Sequence, residues 1–239
     1  FRCWEKKGHG SLSLEDAIKH SCDTYFYQLG LKIGLSRLIA GGISLTMRDR
    51  SGIDLPEENQ PYWPYATEYY DKKYGPRNWS NAETLNLAIG QGANSQTVVN
   101  MAKLYTALAS GGMASRPEIA HLVAQRKPIY KLSPDLQTTL LNGLKAVTEA
   151  GGTAAASALS GTTAGGEQMK LAGKTGTAQN PGGADHGWFV GFAPADNPKI
   201  VVAVLLEFGL HGSRAAHIAS AIISHYLKIT PIQATMDEG

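Results

Sequence analysis

The sequence predicts an α+β fold: an antiparallel sheet with helices packed against it. Three observations predict it. Helical apolar patterns fill the first two-thirds of the chain, three strand-like segments follow (171–178, 188–193 and 200–206), and a last helical pattern closes the chain from about Ser213 to Leu227. The connections between those segments are short, so the strands pair as antiparallel neighbours; a parallel pair needs a crossover of a dozen or more residues. The order is not that of a doubly wound parallel sheet, and no internal repeat is present.

The elements follow in order. Residues 1–10, with Cys3, Trp4, His9 and two glycines, read as an entering loop. Ser13-Leu14-Glu15-Asp16 has the form of a capping box, a hydroxyl placed to accept a backbone N–H with an acid three residues on. Leu14, Ala17, Ile18, Cys22, Tyr25, Phe26 and Leu29 then recur at helical spacing. They predict one apolar face to about Gly30, with Ser21 and Asp23 beside Cys22 on the helix or at a break in it. A second helix is expected from Leu35 to Met47, weakened by Gly41-Gly42. Ser51 to Arg77 reads as a loop with prolines at 56, 61, 64 and 76. Its tyrosines and Trp63 either line a groove or pack the loop down, and the second is the commoner arrangement.

Ala88 to Gly92 is a glycine-rich turn, followed by a helix with Val98, Met101, Ala102, Tyr105 and Leu108 on one face, stopping at Gly111-Gly112. Ile119 to Val123 reads as a short strand. Ser133-Pro134 places a cap and an N1 proline before a helix carrying Leu136, Leu140, Leu144 and Val147. Residues 151–166 are small and polar and predict a surface loop with one alanine-rich turn.

Composition narrows the function classes. With 43% hydrophobic and 18% charged residues the chain has enough apolar material for a core and is not disordered. A net charge of +2 gives no reason to expect nucleic acid as a partner. No apolar run approaches the roughly 18 residues of a membrane span. The chain starts at Phe1 rather than Met and shows no signal peptide, so a segment of a longer protein is expected. Cys3 and Cys22 either pair or stay as free thiols. No His/Cys/Asp spacing matches a metal site, and no cofactor is expected.

Chemistry concentrates in Leu171-Ala172-Gly173-Lys174-Thr175-Gly176-Thr177-Ala178. A lysine, two hydroxyls and close-approach glycines on an edge strand suit an anionic or amide-bearing ligand laid along that edge. The same letters resemble the tail of a phosphate-binding loop, but that pattern needs a glycine where Gln168 stands, and a helix where a second strand follows. Asp185-His186 reads as a strand-entry loop rather than an acid–base pair, Trp188 as a core residue, and His217 and His225 as ordinary helix residues. The absence of Gly-x-Ser-x-Gly argues against an α/β-hydrolase.

The chain carries an ordered set of short motifs: Phe1-x-Cys3-Trp4, His9-Gly10, Ser21-Cys22-Asp23-Thr24-Tyr25-Phe26-Tyr27, Gly52-Ile53-Asp54-Leu55-Pro56, Ile89-Gly90-Gln91-Gly92, and Ala172 to Gln179. It resembles the penicillin-recognising superfamily, above all class B penicillin-binding proteins of the cell-elongation type, the group called penicillin-binding protein 2. The resemblance covers nearly the whole chain. It implies an incomplete penicillin-binding, serine β-lactamase-like transpeptidase fold, with residues 1–239 as the C-terminal portion of the transpeptidase domain. It also implies acyl transfer on the D-Ala–D-Ala ends of peptidoglycan stem peptides, with β-lactams as ligands. In that family Ser21 would relay protons and Asp23 would meet the substrate amide. Lys174 would polarise Ser21 and attract the substrate carboxylate. Thr175 and Thr177 would bind that carboxylate, beside Gly176, and the Thr177 N–H would form one side of an oxyanion hole.

Two departures qualify the resemblance. Asp23 stands where the wider superfamily has Asn, and an ionised Asp only accepts hydrogen bonds. No serine is followed by a lysine three residues on, so the Ser-x-x-Lys nucleophile is expected on an upstream segment and this chain alone is expected to be inactive. The resemblance further implies elongation-complex partners and a periplasmic domain anchored in the inner membrane. Two rivals stand beside it. A class D β-lactamase-like hydrolase or sensor fits Trp188-Phe189-Val190-Gly191, but not Asp23 or the 153-residue separation of Ser21 and Lys174. A non-catalytic scaffold of the elongation complex fits the missing nucleophile.

Overall fold

The computed structural model describes residues 1–120, 125–159, 161–162 and 169–229. Two compact units divide the chain, Phe1–Gly143 and Leu144–Gly239.

The first unit is helical. α1 (Leu14–Lys19) is opened as expected: the Ser13 side chain accepts from the Asp16 N–H and donates to its carboxylate. Of the two readings left open for the apolar face to Gly30, the structure has the break: two helices, α1 and α2 (Asp23–Ile33). Ser21 sits between them at φ +51°, a left-handed conformation that a non-glycine residue adopts only where the surroundings fix it. The apolar period carries through the break, which is why spacing alone left both readings open.

α3 (Leu35–Ser44) stops before Met47, in a turn. Gly42 lies in this helix for a reason other than flexibility. A Cβ there would sit 2.2 Å from Trp63 Cε2, and the Trp63 indole donates to the Ile39 carbonyl at 3.0 Å. Trp63 therefore rests on the helix surface itself. Around it Leu35, Ile39, Tyr70, Leu87 and Ala93 form a buried cluster, flanked by Leu38, Met47, Tyr69 and Trp79. Trp63 and Tyr70 are thus packed down, while Tyr62, Tyr65 and Tyr74 stay exposed. Part of the expected loop is helical, α4 (Glu68–Tyr74), which buries Tyr70. α5 (Asn81–Ala88), capped by Ser80, was also missed; its apolar face is short, so the periodic signal is weak.

α6 (Val98–Ala109) is capped by Thr97 and ends at the expected glycine pair, where the Gly112 N–H bonds to Ala107 O. A two-stranded antiparallel ribbon follows, β1 (Met113–Ser115) with β2 (Arg126–Pro128). The strand expected at 119–123 is not observed where it can be judged. Ile119 and Ala120 form a bend whose N–H groups donate to Asp54, and 121–124 lie outside the described residues. Those bonds hold the Asp54 carboxyl below its ordinary value, Ala120 contributing most, then Ile119. α7 (Pro134–Ala146) follows Ser133 as expected, and the division between the units falls inside it.

The second unit is a sheet covered on one face by a helix. The strands are β3 (Ala172–Ala178), β4 (His186–Ala193) and β5 (Ile200–Leu206), antiparallel throughout in the order β3-β4-β5. β4 is central and almost wholly buried; β5 is mostly half-buried. α8 (Gly212–Tyr226) packs against them. Ala215, Ala216 and Ala219 on its inner face are fully buried, and such small side chains let the helix come close to the sheet. Its outer face leaves Ile218, Ile222 and Tyr226 exposed at four-residue spacing. The expected loop before β3 contains one 3-10 turn, Ala155–Ser157; 160 and 163–168 lie outside the described residues. Among the described residues no helix is long and apolar enough to cross a membrane.

Candidate active site

The first group of site residues forms at the break between α1 and α2. Ser21 and Asp23 are half-buried and Cys22 between them is buried. The turn is tied inward by Cys22 N–H to Ala17 O at 3.0 Å and Ser21 N–H to Ile18 O at 3.2 Å. Trp4 closes it from outside. Its indole N–H reaches the carbonyls of His20 (3.0 Å) and Ser21 (3.2 Å), and its backbone N–H reaches the Asp23 carboxylate (3.3 Å). Asp23 opens α2, where the helix dipole favours a negative charge. Its charge also helps to raise the Tyr27 phenol, after burial, the larger cause.

The same segment assembles something the sequence reading passed over. Ligand atoms of Cys3, His9 and Cys22 lie within 4.8 Å of one another. Both thiols are free, and Cys3 Sγ is 3.5 Å from His9 Nδ1. The His9 ring is held between Trp4 and His20, each at a centroid separation of 5.4 Å. Two thiols and an imidazole are donors that tetrahedral Zn²⁺ uses. The spacing rule missed them because the loop before α1 folds back, and no local Cys-x-x-Cys pattern records that.

The second group lies on β3 in the other unit. Lys174, Thr175 and Gly176 are half-buried and Thr177 is exposed. Register assigns their faces. Thr177 pairs with Gly187, and a Cβ on Gly187 would lie 2.7 Å from His211 O, so this is the face that the start of α8 covers. Alternation puts Thr175 on that face too, and Lys174 and Gly176 on the other with half-buried Trp188. The approach of α8 is close: a Cβ on Gly212 would lie 2.5 Å from Trp188 O, 2.6 Å from Gly176 O and 2.8 Å from Gly176 N. Glycine is required there because the obstacles are backbone atoms.

Thr175 is held at both ends. Its hydroxyl is 2.6 Å from that of Thr153, and its carbonyl accepts from Lys174 Nζ at 2.9 Å. Beside it a cavity of about 370 Å³ is lined by Thr153, Ser157, Ser213, Arg214 and His217, with Ser157 Oγ 3.3 Å from His217 Nδ1. Asp185 and His186 serve the strand entry as read: Asp185 accepts from the Asn180 N–H, and His186 Nδ1 from the Phe208 N–H. β3 leads into an antiparallel strand and not into a helix, in keeping with the rejection of a phosphate loop.

Each unit thus carries one of the two motif groups, Ser21 in a left-handed turn in the first and Lys174, Thr175 and Thr177 on β3 in the second. Comparison with known proteins gives the decisive observation: residues 1–224 match the family model described as penicillin binding protein transpeptidase domain. The chain belongs to this transpeptidase family.

Its curated relatives include the peptidoglycan D,D-transpeptidases MrdA of Haemophilus influenzae, 34% identical, and Acinetobacter baumannii, 32% identical, each aligned over 95% of this chain. The chain spans 38% and 36% of their lengths. Among solved structures it is similar to Pseudomonas aeruginosa PBP2 in complex with WCK 5153, with TM-score 0.83 and 33% identity over 100% of this chain and 53% of that one. It is also similar to Helicobacter pylori PBP2 in complex with MreC, with TM-score 0.83 and 29% identity over 95% of this chain and 42% of that one. The chain therefore has the penicillin-binding transpeptidase fold expected from its motifs, and its relatives are peptidoglycan transpeptidases.

Proposed function

We propose that this chain is the C-terminal part of a D,D-transpeptidase that cross-links peptidoglycan by serine acyl transfer. An upstream Ser-x-x-Lys serine attacks the carbonyl of the D-Ala–D-Ala bond. D-Ala leaves as the amine, and an acyl-enzyme ester remains. The amine of a neighbouring stem peptide then takes the acyl group and restores the serine. Ser21 passes protons between the upstream base and the leaving or attacking amine. Lys174 lowers the cost of negative charge on Ser21 and attracts the donor's terminal carboxylate. Thr175 and Thr177 donate to that carboxylate in charge-assisted bonds, and the Thr177 N–H faces the developing oxyanion. Asp23 contacts the substrate amide, as an acceptor of N–H groups.

The single observation that carries this reading is β3: at the edge of the sheet among the described residues, it presents a cation and two hydroxyls in the one run Lys174-Thr175-Gly176-Thr177. The upstream segment has a place to dock in the second unit. β5 pairs with β4 alone among the described residues, and α8 leaves Ile218, Ile222 and Tyr226 exposed. The nucleophile-bearing segment covers that stripe and that edge. By the same reading the intact protein is membrane-anchored with this domain in the periplasm. It meets elongation-complex partners there, as Helicobacter pylori PBP2 meets MreC, and β-lactams acylate it.

Intact-mass spectrometry after incubation with a β-lactam tests the proposal, on this chain alone and on the full-length parent. An adduct on the parent only, at an upstream serine, is expected. An adduct on the isolated chain would place the nucleophile among its own serines, and no adduct on either would leave a non-catalytic scaffold.

A further inference from the structure

The turn after α7 meets β3 and the residue before it through two threonines. Thr148 Oγ1 donates to Leu171 O at 2.6 Å, just before the strand, and Thr153 Oγ1 lies 2.6 Å from Thr175 Oγ1 in its middle. The turn that presents Thr153 is fixed from within. Ala154 N–H bonds to Val147 O and Gly152 N–H to Glu149 O, both at 2.9 Å, and Ala154 is 2% exposed. Thr153 is therefore a hydroxyl held rigidly against a residue of the Lys-Thr-Gly run.

We infer that Thr153 is a positioning residue for substrate carboxylate recognition, acting through Thr175; this rests on the transpeptidase reading above. Proton counting gives it a direction. A hydroxyl has one proton to donate, and a carboxylate can only accept. When Thr175 donates to the substrate carboxylate, its proton is committed. The short contact to Thr153 is then a hydrogen bond only if Thr153 is the donor. The chain Thr153 O–H to Thr175 Oγ1, and Thr175 O–H to carboxylate, is thereby polarised one way, and each bond strengthens the next. Thr153 also selects the Thr175 rotamer before substrate arrives, so less ordering is needed on binding.

The test uses the full-length protein and a carboxylate-bearing β-lactam, separating the dissociation constant of the initial complex from the acylation rate constant. Thr153→Val keeps the shape and removes the hydroxyl. It is expected to weaken initial binding about five- to tenfold with little change in the acylation step. Thr153→Ser is expected to stay within about twofold of the parent in both constants. Two controls separate positioning from packing. In a Thr175→Val background, Thr153→Val should add no further loss, and with the methyl ester of the same β-lactam it should have no effect. An equal loss with the ester, an additive loss in the Thr175→Val background, or binding unchanged in Thr153→Val would each overturn the inference. A loss in Thr153→Ser matching that in Thr153→Val, with a lowered Tm, would also overturn it by marking a packing role. If the unsubstituted full-length protein takes no β-lactam adduct, the transpeptidase reading falls and this inference with it. An adduct together with an unaffected Thr153→Val removes the inference alone.

Discussion

Gly212→Ala asks how far β3 depends on the helix packed against it. The added methyl would lie 2.5 Å from Trp188 O and 2.6 Å from Gly176 O, with Gly176 N at 2.8 Å. Each is roughly 1 Å short of an ordinary contact between heavy atoms. None can rotate away, because all are backbone, so either α8 lifts or β3 bends at Gly176-Thr177. Helix propensity favours alanine by about 1 kcal/mol at most, while overpacking of this kind costs about 1–3 kcal/mol. Stability should therefore fall by a net ~1–2 kcal/mol, or about 2–8 °C in Tm for a chain of 239 residues. Function should fall further, because Gly176 O belongs to the same peptide as the Thr177 N–H proposed to face the oxyanion. A misplacement near 1 Å is worth on the order of 10²-fold in rate. The assay is β-lactam acylation of the full-length protein, with Tm measured on the same samples. A loss of acylation well beyond the fraction unfolded is the expected result. Unchanged acylation with a lowered Tm would show that α8 moves and the strand does not, and would refute the argument that this contact sets the site.

Other outcomes follow from single contacts. Gly41 has nothing within 4 Å of an added Cβ, whereas Gly42 meets Trp63 at 2.2 Å; Gly41→Ala should raise Tm by about 2–4 °C. Gly42→Ala should lower it by a similar amount or more, because Trp63 and its bond to Ile39 must shift. Asp54 is held below its ordinary pKa of 3.8, chiefly by the Ala120 and Ile119 N–H groups. The stability it contributes is full above that value and is lost as pH falls through the lower folded-state value. Asp54→Asn should flatten the acid side of a Tm-against-pH profile below about pH 4 and leave its slope near pH 7 unchanged. The Cys3, His9 and Cys22 donors should bind Zn²⁺; metal analysis after dialysis should show it retained, lost on Cys22→Ser, and chelation should lower the Tm of the parent but not of that variant.

Legibility in the sequence followed the range of each interaction. The Ser13 cap, the Gly111-Gly112 stop, the order of strands and the closing helix are local or near-local, and their spacing records them. The helices α4 and α5 escaped because seven- and eight-residue elements hold too few turns for a periodic signal. Thr153 left only a faint mark, a threonine after two glycines; its meaning is a contact with Thr175 across 22 residues. Trp4 likewise meets the Ser21 turn 17 residues away.

The sequence by itself determined the fold class, the strand that carries Lys174 to Thr177 and the family, because strand alternation, short connections and ordered motifs are properties of the chain as a string. The tertiary structure alone decided that Ser21 lies in a left-handed break, that α8 rests on the backbone of β3 through Gly212, and that Cys3, His9 and Cys22 converge. The physical reason is that each depends on contacts between residues distant in sequence. Packing fixes such contacts, and no local period encodes them.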